Sequence, residues 1–338
     1  MCGEYVSNEV LDILDSIWLN PFLLGASRIH RLRISAPSGH SINASLELGG
    51  FGLSRYSLDN GLAKLAEQNG TEIITGNRVS EIAFKENQFE VKLNSGETIT
   101  SPIVIGSYGK RDTLDKKLNR EFIHSHTGYM GVKYHIRIRY PVDEVGLDNF
   151  AGGYCGIVKI EDDKYNLCYL YKRNQRVDFN SIPELEEKVL FKNPVIKKIF
   201  HDADFILKEP EVINEISFSS KPLIENHVLM CGDSAGLITP LCGNGMAIAI
   251  HSAFLLSGLM ADIDFSKKIT DEVRYQLEAS WQKVWTKNFN TRLKWGRRIQ
   301  SVFGNPIITG MAVRTIHFIP PLERLLISKT HGKPISVG

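Results

Sequence analysis

The residues best placed to do chemistry lie together between Val228 and Ile250, V-L-M-C-G-D-S-A-G-L-I-T-P-L-C-G-N-G-M-A-I-A-I. A short apolar run reads as a buried strand ending in Gly232-Asp233. A loop with Gly236 and Pro240 follows, and Gly243-Asn244-Gly245-Met246 opens a long helix of small and apolar residues. A carboxylate at a strand end accepts hydrogen bonds from sugar-like hydroxyls. The free N–H groups and positive end of a helix starting at Gly245 favour an electron-rich, partly anionic group.

A flavin has both features, a ribityl chain of hydroxyls and a pyrimidine edge that becomes negative on reduction. The alternative for the same residues is a tight loop whose glycines only permit close packing. Other chemistries lack their turns: there is no G-x-S-x-G elbow and no Walker loop, so hydrolase and nucleotide-triphosphatase readings fail. The histidines and the five cysteines, among them Cys2, Cys155, Cys168 and Cys231, show no zinc spacing and no C-x-x-C pair, so no metal site is expected.

The elements that must position this segment follow from pattern. Ser7 caps a helix with Val10, Leu11, Leu14 and Trp18 on one face. Arg31 to Ile34 and Ser41 to Leu48 flank Pro37-Ser38-Gly39 as a hairpin. A helix from Ser57 places Leu58, Leu62, Leu65 and Ala66 together and stops at Asn69-Gly70. Strands are expected over Glu72 to Thr75, Val79 to Phe84, Phe89 to Leu93 and Ile103 to Ile105, and a mostly antiparallel sheet over Tyr129 to Tyr171. Beyond Gly243 the pattern is helical.

Composition bounds the class. The 338 residues suffice for two domains, and a net charge of +2 with 23% charged residues describes an ordinary globular protein rather than a nucleic-acid binder. Odd cysteine usage points to a reducing compartment, and no apolar run reaches the roughly 18 residues of a membrane span, so a cytoplasmic location is expected. One asymmetry stands out. From Lys287 onward nine basic residues face the single Glu323, interleaved with Trp295, Phe303, Met311 and Phe318. That is the pattern either of peripheral membrane contact or of a helical cap with a solvated basic face.

The string G-D-S-A-G-x-x-x-P-x-x-G-N-G-M resembles the second flavin-binding motif of FAD-dependent oxidoreductases of the p-hydroxybenzoate hydroxylase fold, in their geranylgeranyl-reductase-like branch. Cys2-Gly3-Glu4 resembles that branch's early Cys-Gly motif, and Arg55 to Asp59 resembles its Arg-x-x-x-Asp helix start. Val104 to Arg111 sits where the family has a glycine-rich strand end. The resemblance implies an α/β fold: a discontinuous FAD-binding Rossmann-like domain over 1–125 and 205–265, an antiparallel substrate domain over 126–204 and a helical region over 266–338. It also implies FAD as cofactor, with NAD(P)H as a reductant. Arg55 would lie near the phosphates, Asp233 near the ribityl or pyrophosphate region, and Gly243 to Met246 at the isoalloxazine, with Gly232, Gly236 and Pro240 shaping the loop. Arg55 has a plainer alternative as an i, i+4 partner of Asp59. Tyr154 and Cys2 are candidates to face the substrate, an apolar or aromatic small molecule.

Two departures qualify the likeness. The family opens with a strand, a G-x-G-x-x-G turn and a helix, and no such unit is present here. Either the chain starts downstream of that unit or the protein is a shortened form. The first is expected, because a gap at the centre of a parallel sheet exposes strand edges and apolar faces. The family's isoprenoid reductases also carry an aromatic P-x-x-Y-x-W-x-F-P strand, of which Gly153 to Lys159 keeps only Tyr154. The expected activity is double-bond reduction or monooxygenation. Neither requires a strong side-chain acid or base, so no catalytic residue is named. The alternative is a flavin-free binding protein derived from the same fold.

Overall fold

The computed structural model describes residues 2–124, 127–173, 177–239, 243–302 and 309–311, together with positions 332, 334 and 335. The chain enters through β1 (Tyr5–Ser7), and the Ser7 hydroxyl accepts the Glu9 N–H to start a helical turn that continues as α1 (Leu11–Ser16). Val10 and Leu14 are buried as their spacing requires. Trp18 is not on that face: the helix has already ended, and Trp18 is 90% exposed at a positive φ. The hairpin β2 (Ser27–Ser35) and β3 (Ser41–Gly52) turns through Gly39 at φ +86°, and α2 (Arg55–Gln68) follows. Its cap is Ser54, whose hydroxyl accepts the Ser57 N–H, rather than Ser57 itself.

A three-stranded antiparallel meander comes next, β4 (Val79–Lys85), β5 (Gln88–Leu93) and β6 (Thr98–Ser101). Beyond it lie the short β7 (Ile105–Gly106) and α3 (Thr113–Lys117). The strand expected over Glu72 to Thr75 does not form. No strand among the described residues lies beside it, and Ile73 and Ile74 are exposed.

The strand-rich middle is β8 (Tyr129–Arg137), β9 (Glu144–Phe150), β10 (Gly153–Lys159) and β11 (Tyr165–Lys172). After α4 (Ile182–Lys188) and α5 (Pro194–Asp202) come β12 (Asp204–Phe205) and β13 (Glu211–Asn214). The antiparallel pair β14 (Ile224–Glu225) and β15 (Val228–Met230) leads to the long helices α6 (Gly245–Ala261) and α7 (Asp271–Val302).

One nine-stranded sheet runs β1-β3-β2-β9-β10-β11-β8-β12, with β13 also on β8. All its pairings are antiparallel except β2 with β9. A boundary at residue 125 therefore does not follow the sheets, since β1 to β3 hydrogen-bond into the sheet formed by 129–172. Alternation along β8 sets its two faces. Met130, Val132, Tyr134 and Ile136 pack against α4 and α5, which leaves Lys133 and His135 on the other side.

The parallel element is smaller. β15 pairs with β7 in parallel and with β14 in antiparallel, and β7 has no partner on its other side among the described residues. There Ile105 is 40% exposed. Helix α6 is apolar on nearly every side because it is sandwiched, with Met246 and Ala247 against Val6, Val10 and Phe51, and Ile248 and Leu256 against the β15 cluster. Helix α7 closes that cluster with Trp281, Trp285, Phe289 and Leu293, and the Trp281 indole N–H donates to the Met230 carbonyl at 3.0 Å. Its large apolar side chains are thus directed to the core. Of its cations Arg292 pairs with Glu9 at 2.8 Å, while most of the basic segment beyond 302 lies outside the described residues. No helix among the described residues is long and apolar enough to cross a membrane.

Candidate functional site

β15 ends at Met230, and the chain turns through Gly232 at φ +62°. A Cβ there would meet Ala249 on α6 only at ordinary contact distance, 3.4 Å, so it is the left-handed backbone of the turn that calls for glycine. Ser234 locks the turn, its hydroxyl within 2.6 Å of the Gly106 carbonyl and 2.8 Å of the Cys231 carbonyl. This ties the ends of the two parallel strands together and leaves Asp233 at their tip.

The Asp233 carboxylate is partly buried and forms no hydrogen bond with any described residue. Burial pushes its carboxyl above the ordinary aspartate range, opposed by the charges of Lys110, Lys221 and Arg55. Gly245, the first residue of α6, lies opposite: a Cβ on it would stand 4.0 Å from Asp233 Oδ1. A half-buried acceptor set among cations beside the first turn of a 17-residue helix is arranged to take hydroxyl donors and an electron-rich ring edge.

The chain's first residues complete this corner. Gly243 adopts φ +63°, and a Cβ there would meet the Tyr5 ring at 2.9 Å, so β1 packs directly under the helix start. Cys2 lies within electrostatic reach of Lys110 and Arg55, and burial raises its thiol above the ordinary cysteine value. Glu4 is 1% exposed and sits at φ +53°. Its Oε1 accepts the Arg55 N–H at 3.0 Å and the Lys133 ammonium at 2.9 Å, while its Oε2 meets His135 Nε2 at 2.7 Å. Burial pushes the Glu4 carboxyl up, but the hydrogen bonds and charges of His135 and Lys133 outweigh it and hold it below the usual range. Glu4 thereby joins the start of α2 to strand β8.

The candidates named from sequence are only partly brought together. Cys2, Arg55, Asp233, Gly243 and Gly245 converge. The Arg55 guanidinium is engaged by Asp59 at 2.7 Å, as the i, i+4 spacing allows, and about half exposed. Gly236 faces elsewhere: a Cβ on it would press on Leu293 at 3.1 Å and Trp285 at 3.2 Å, so its glycine serves packing against α7. The Met246 side chain is buried with Val6 and Phe51, which leaves its backbone in the helix's first turn to face a ligand. Asn244 is fully buried at the helix start. Tyr154 is buried with Leu170, Phe218 and Leu237, the last on the loop after Asp233, so it packs where the large sheet meets that loop. Pro240 lies outside the described residues.

Sequence reading missed Lys110, Lys133, His135 and Lys221, and assigned no role to Glu4 or Tyr5. The only local signal was β8's alternation, which puts Lys133 and His135 on one face.

The residues fit one end of an FAD. The unpartnered carboxylate, the helix start and the surrounding cations suit a ribityl-flavin. No strand, glycine-rich turn and helix for the adenylate end is found among the described residues, where the parallel pairings are β7 with β15 and β2 with β9. No group of three or more metal-ligating side chains gathers among them either.

No family model matches the chain. It is 23% identical over 323 residues to a digeranylgeranylglycerophospholipid reductase of Methanococcus vannielii, an alignment covering 88% of this chain and 78% of the relative. Its structure matches that of the flavin-dependent brominase Bmp2 with a TM-score of 0.75 at 12% identity, over 98% of this chain and 83% of the brominase. It matches a probable FAD-dependent monooxygenase from Pseudomonas aeruginosa with a TM-score of 0.69 at 14% identity, over 93% of this chain and 89% of the other. The chain has the fold of FAD-dependent monooxygenases and halogenases, and its sequence is similar to that of a geranylgeranyl-type reductase.

Proposed function

We propose that the protein is an FAD-dependent oxidoreductase that reduces a double bond in, or inserts oxygen into, an apolar or aromatic small molecule, with NAD(P)H as reductant. The observation that carries this reading is the Asp233 carboxylate, held at the tip of β15 beside the start of α6 and hydrogen-bonded to no described residue. Asp233 accepts ribityl hydroxyls. The amides of Gly245 and Met246 would hold the pyrimidine edge, where the helix end favours negative charge. When bound, the flavin supplies the redox chemistry, and the protein contributes orientation and exclusion of water. This reading assigns to the substrate side Cys2, which is near the Arg55 charge, and Tyr154, which is packed in the cluster under the loop. The similarity to a digeranylgeranylglycerophospholipid reductase favours an apolar substrate. A cytoplasmic enzyme with peripheral contact between its basic C-terminal region and anionic lipid fits such a substrate.

The test is the flavin absorbance of the purified chain, alone and with a strand, glycine-rich turn and helix fused ahead of its first residue to pair with the open edge of β7. The account expects sub-stoichiometric flavin in the first and a yellow protein in the second. A fused protein that takes up no flavin overturns the flavin reading.

A further inference from the structure

Beneath the Gly232–Asp233 loop lies a buried basic group that the proposed chemistry does not use. Lys221 is 6% exposed. Its ammonium donates to the Lys110 carbonyl at 2.7 Å and to the Asp233 carbonyl at 2.8 Å, and it sits 4.4 Å from the centroid of the Phe122 ring. The first carbonyl lies beyond the end of β7 and the second beyond the end of β15, so one side chain clasps the segments that follow both parallel strands.

Arg120, 0% exposed, works alongside. It donates to the Asp115 carboxylate at 2.9 Å, the Pro222 carbonyl at 2.7 Å and the Ser234 carbonyl at 2.9 Å. The charged groups bearing on Lys221 are Asp115 of α3, Arg120, Lys110 and Asp233. Asp115 is engaged by Arg120. Asp115 bears on the lysine more strongly than Asp233 does, and Asp233 is the one of the two whose carboxylate makes no ion pair among the described residues.

We infer that Lys221 is a positioning residue for the ligand at Asp233: its buried charge and its two carbonyl contacts hold the loop in place and keep the Asp233 carboxylate an ionised acceptor. The inference rests on the flavin reading above and deepens it. Burial pushes the lysine down to about 8, so it carries its charge at neutral pH and yields it in mildly alkaline solution. Without that charge the half-buried Asp233 is left with Lys110 and Arg55 and takes up a proton more readily.

The experiment is FAD titration across a pH series, followed by quenching of flavin fluorescence, for the unaltered chain, Lys221→Gln, Lys221→Met and Lys221→Arg. Glutamine removes the charge and keeps hydrogen-bond donors, so it reads the charge even where methionine prevents folding. The expected result is an FAD dissociation constant about tenfold higher at neutral pH in the glutamine variant, which is the loss of one charge-assisted contact. The acid limit of binding moves to higher pH in that variant and returns in the arginine variant. A lysine with only a packing role would leave the acid limit where it is, and an unmoved limit in Lys221→Gln overturns the inference alone. Failure of the unaltered chain and of the protein with the fused strand, turn and helix to bind FAD at any pH overturns the flavin reading, and this inference with it.

Discussion

Glu4 and Lys133 meet at 2.9 Å across the seam between the first strand and β8, each almost fully buried. A buried carboxylate that also takes the Arg55 N–H and His135 is a structural pin whose removal strands a cation. Glu4→Ala is expected to lower stability by about 3–5 kcal/mol, because Lys133 is left buried with only the longer, 3.6 Å pair to the 60% exposed Glu211. Glu4→Gln, which keeps the shape, costs less. Because the folded-state carboxyl is held below its ordinary value, this contribution is present above about pH 4.5 and is lost as pH falls through the folded value. Urea denaturation of the three proteins at neutral and acid pH measures it, and equal midpoints for Glu4→Ala and the unaltered chain would contradict it.

His251 on α6 packs against Phe289, and its Nδ1 is buried with no hydrogen-bond partner among the described residues. Burial, reinforced by the Arg292 charge, pushes its imidazole down to about 4. The unfolded chain takes up this proton first, so stability falls as the solution is acidified from about pH 6.5 to about pH 4. In His251→Leu the decline over that window is expected to be shallower. A variant that tracks the unaltered protein through the whole window shows that the imidazole is not the group responsible.

The cations Lys287, Lys294, Arg297 and Arg298 line α7, while Trp281, Trp285 and Phe289 face the core. If this helix touches anionic lipid, its binding to anionic vesicles is expected to be electrostatic and steeply salt-dependent, and Arg297→Gln with Arg298→Gln to weaken it about thirtyfold at roughly 1 kcal/mol per charge. Sedimentation with anionic vesicles reads this directly. Binding that persists at high salt, or none at low salt, speaks against the lipid contact.

Local signals carried part of this fold. Pro37-Ser38-Gly39 announced the β2–β3 hairpin because the turn needs a positive φ that Gly39 supplies. Gly232-Asp233 and Gly243-Asn244-Gly245 marked the site for a similar reason. What depends on distant partners was not legible. Ile73 and Ile74 have strand propensity, yet no neighbour pairs with them among the described residues. Within the sheet expected over Tyr129 to Tyr171, β9 carries the weakest signal, because Gly146 and Asp148 interrupt its apolar pattern. In the fold Gly146 makes room for Tyr140 and Arg33, and Asp148 is paired with Arg33 at 2.6 Å. Lys221 is one of forty basic residues, and only the tertiary fold brings it to the carbonyls of Lys110 and Asp233.

The central claim is that Asp233 holds the flavin, and the most direct measurement is FAD affinity of Asp233→Ala beside Asp59→Ala, made in the protein with the fused strand, turn and helix. Asp233 is a half-buried acceptor with no partner in the described chain, whereas Asp59 is a 53% exposed member of a surface pair with Arg55. Loss of a buried hydrogen-bonding carboxylate costs about 1–3 kcal/mol and loss of an exposed pair about 0.2–1 kcal/mol. The account predicts that Asp233→Ala weakens FAD binding by roughly tenfold or more while Asp59→Ala changes it only a few-fold. Equal affinities for the two variants would contradict the assignment of Asp233.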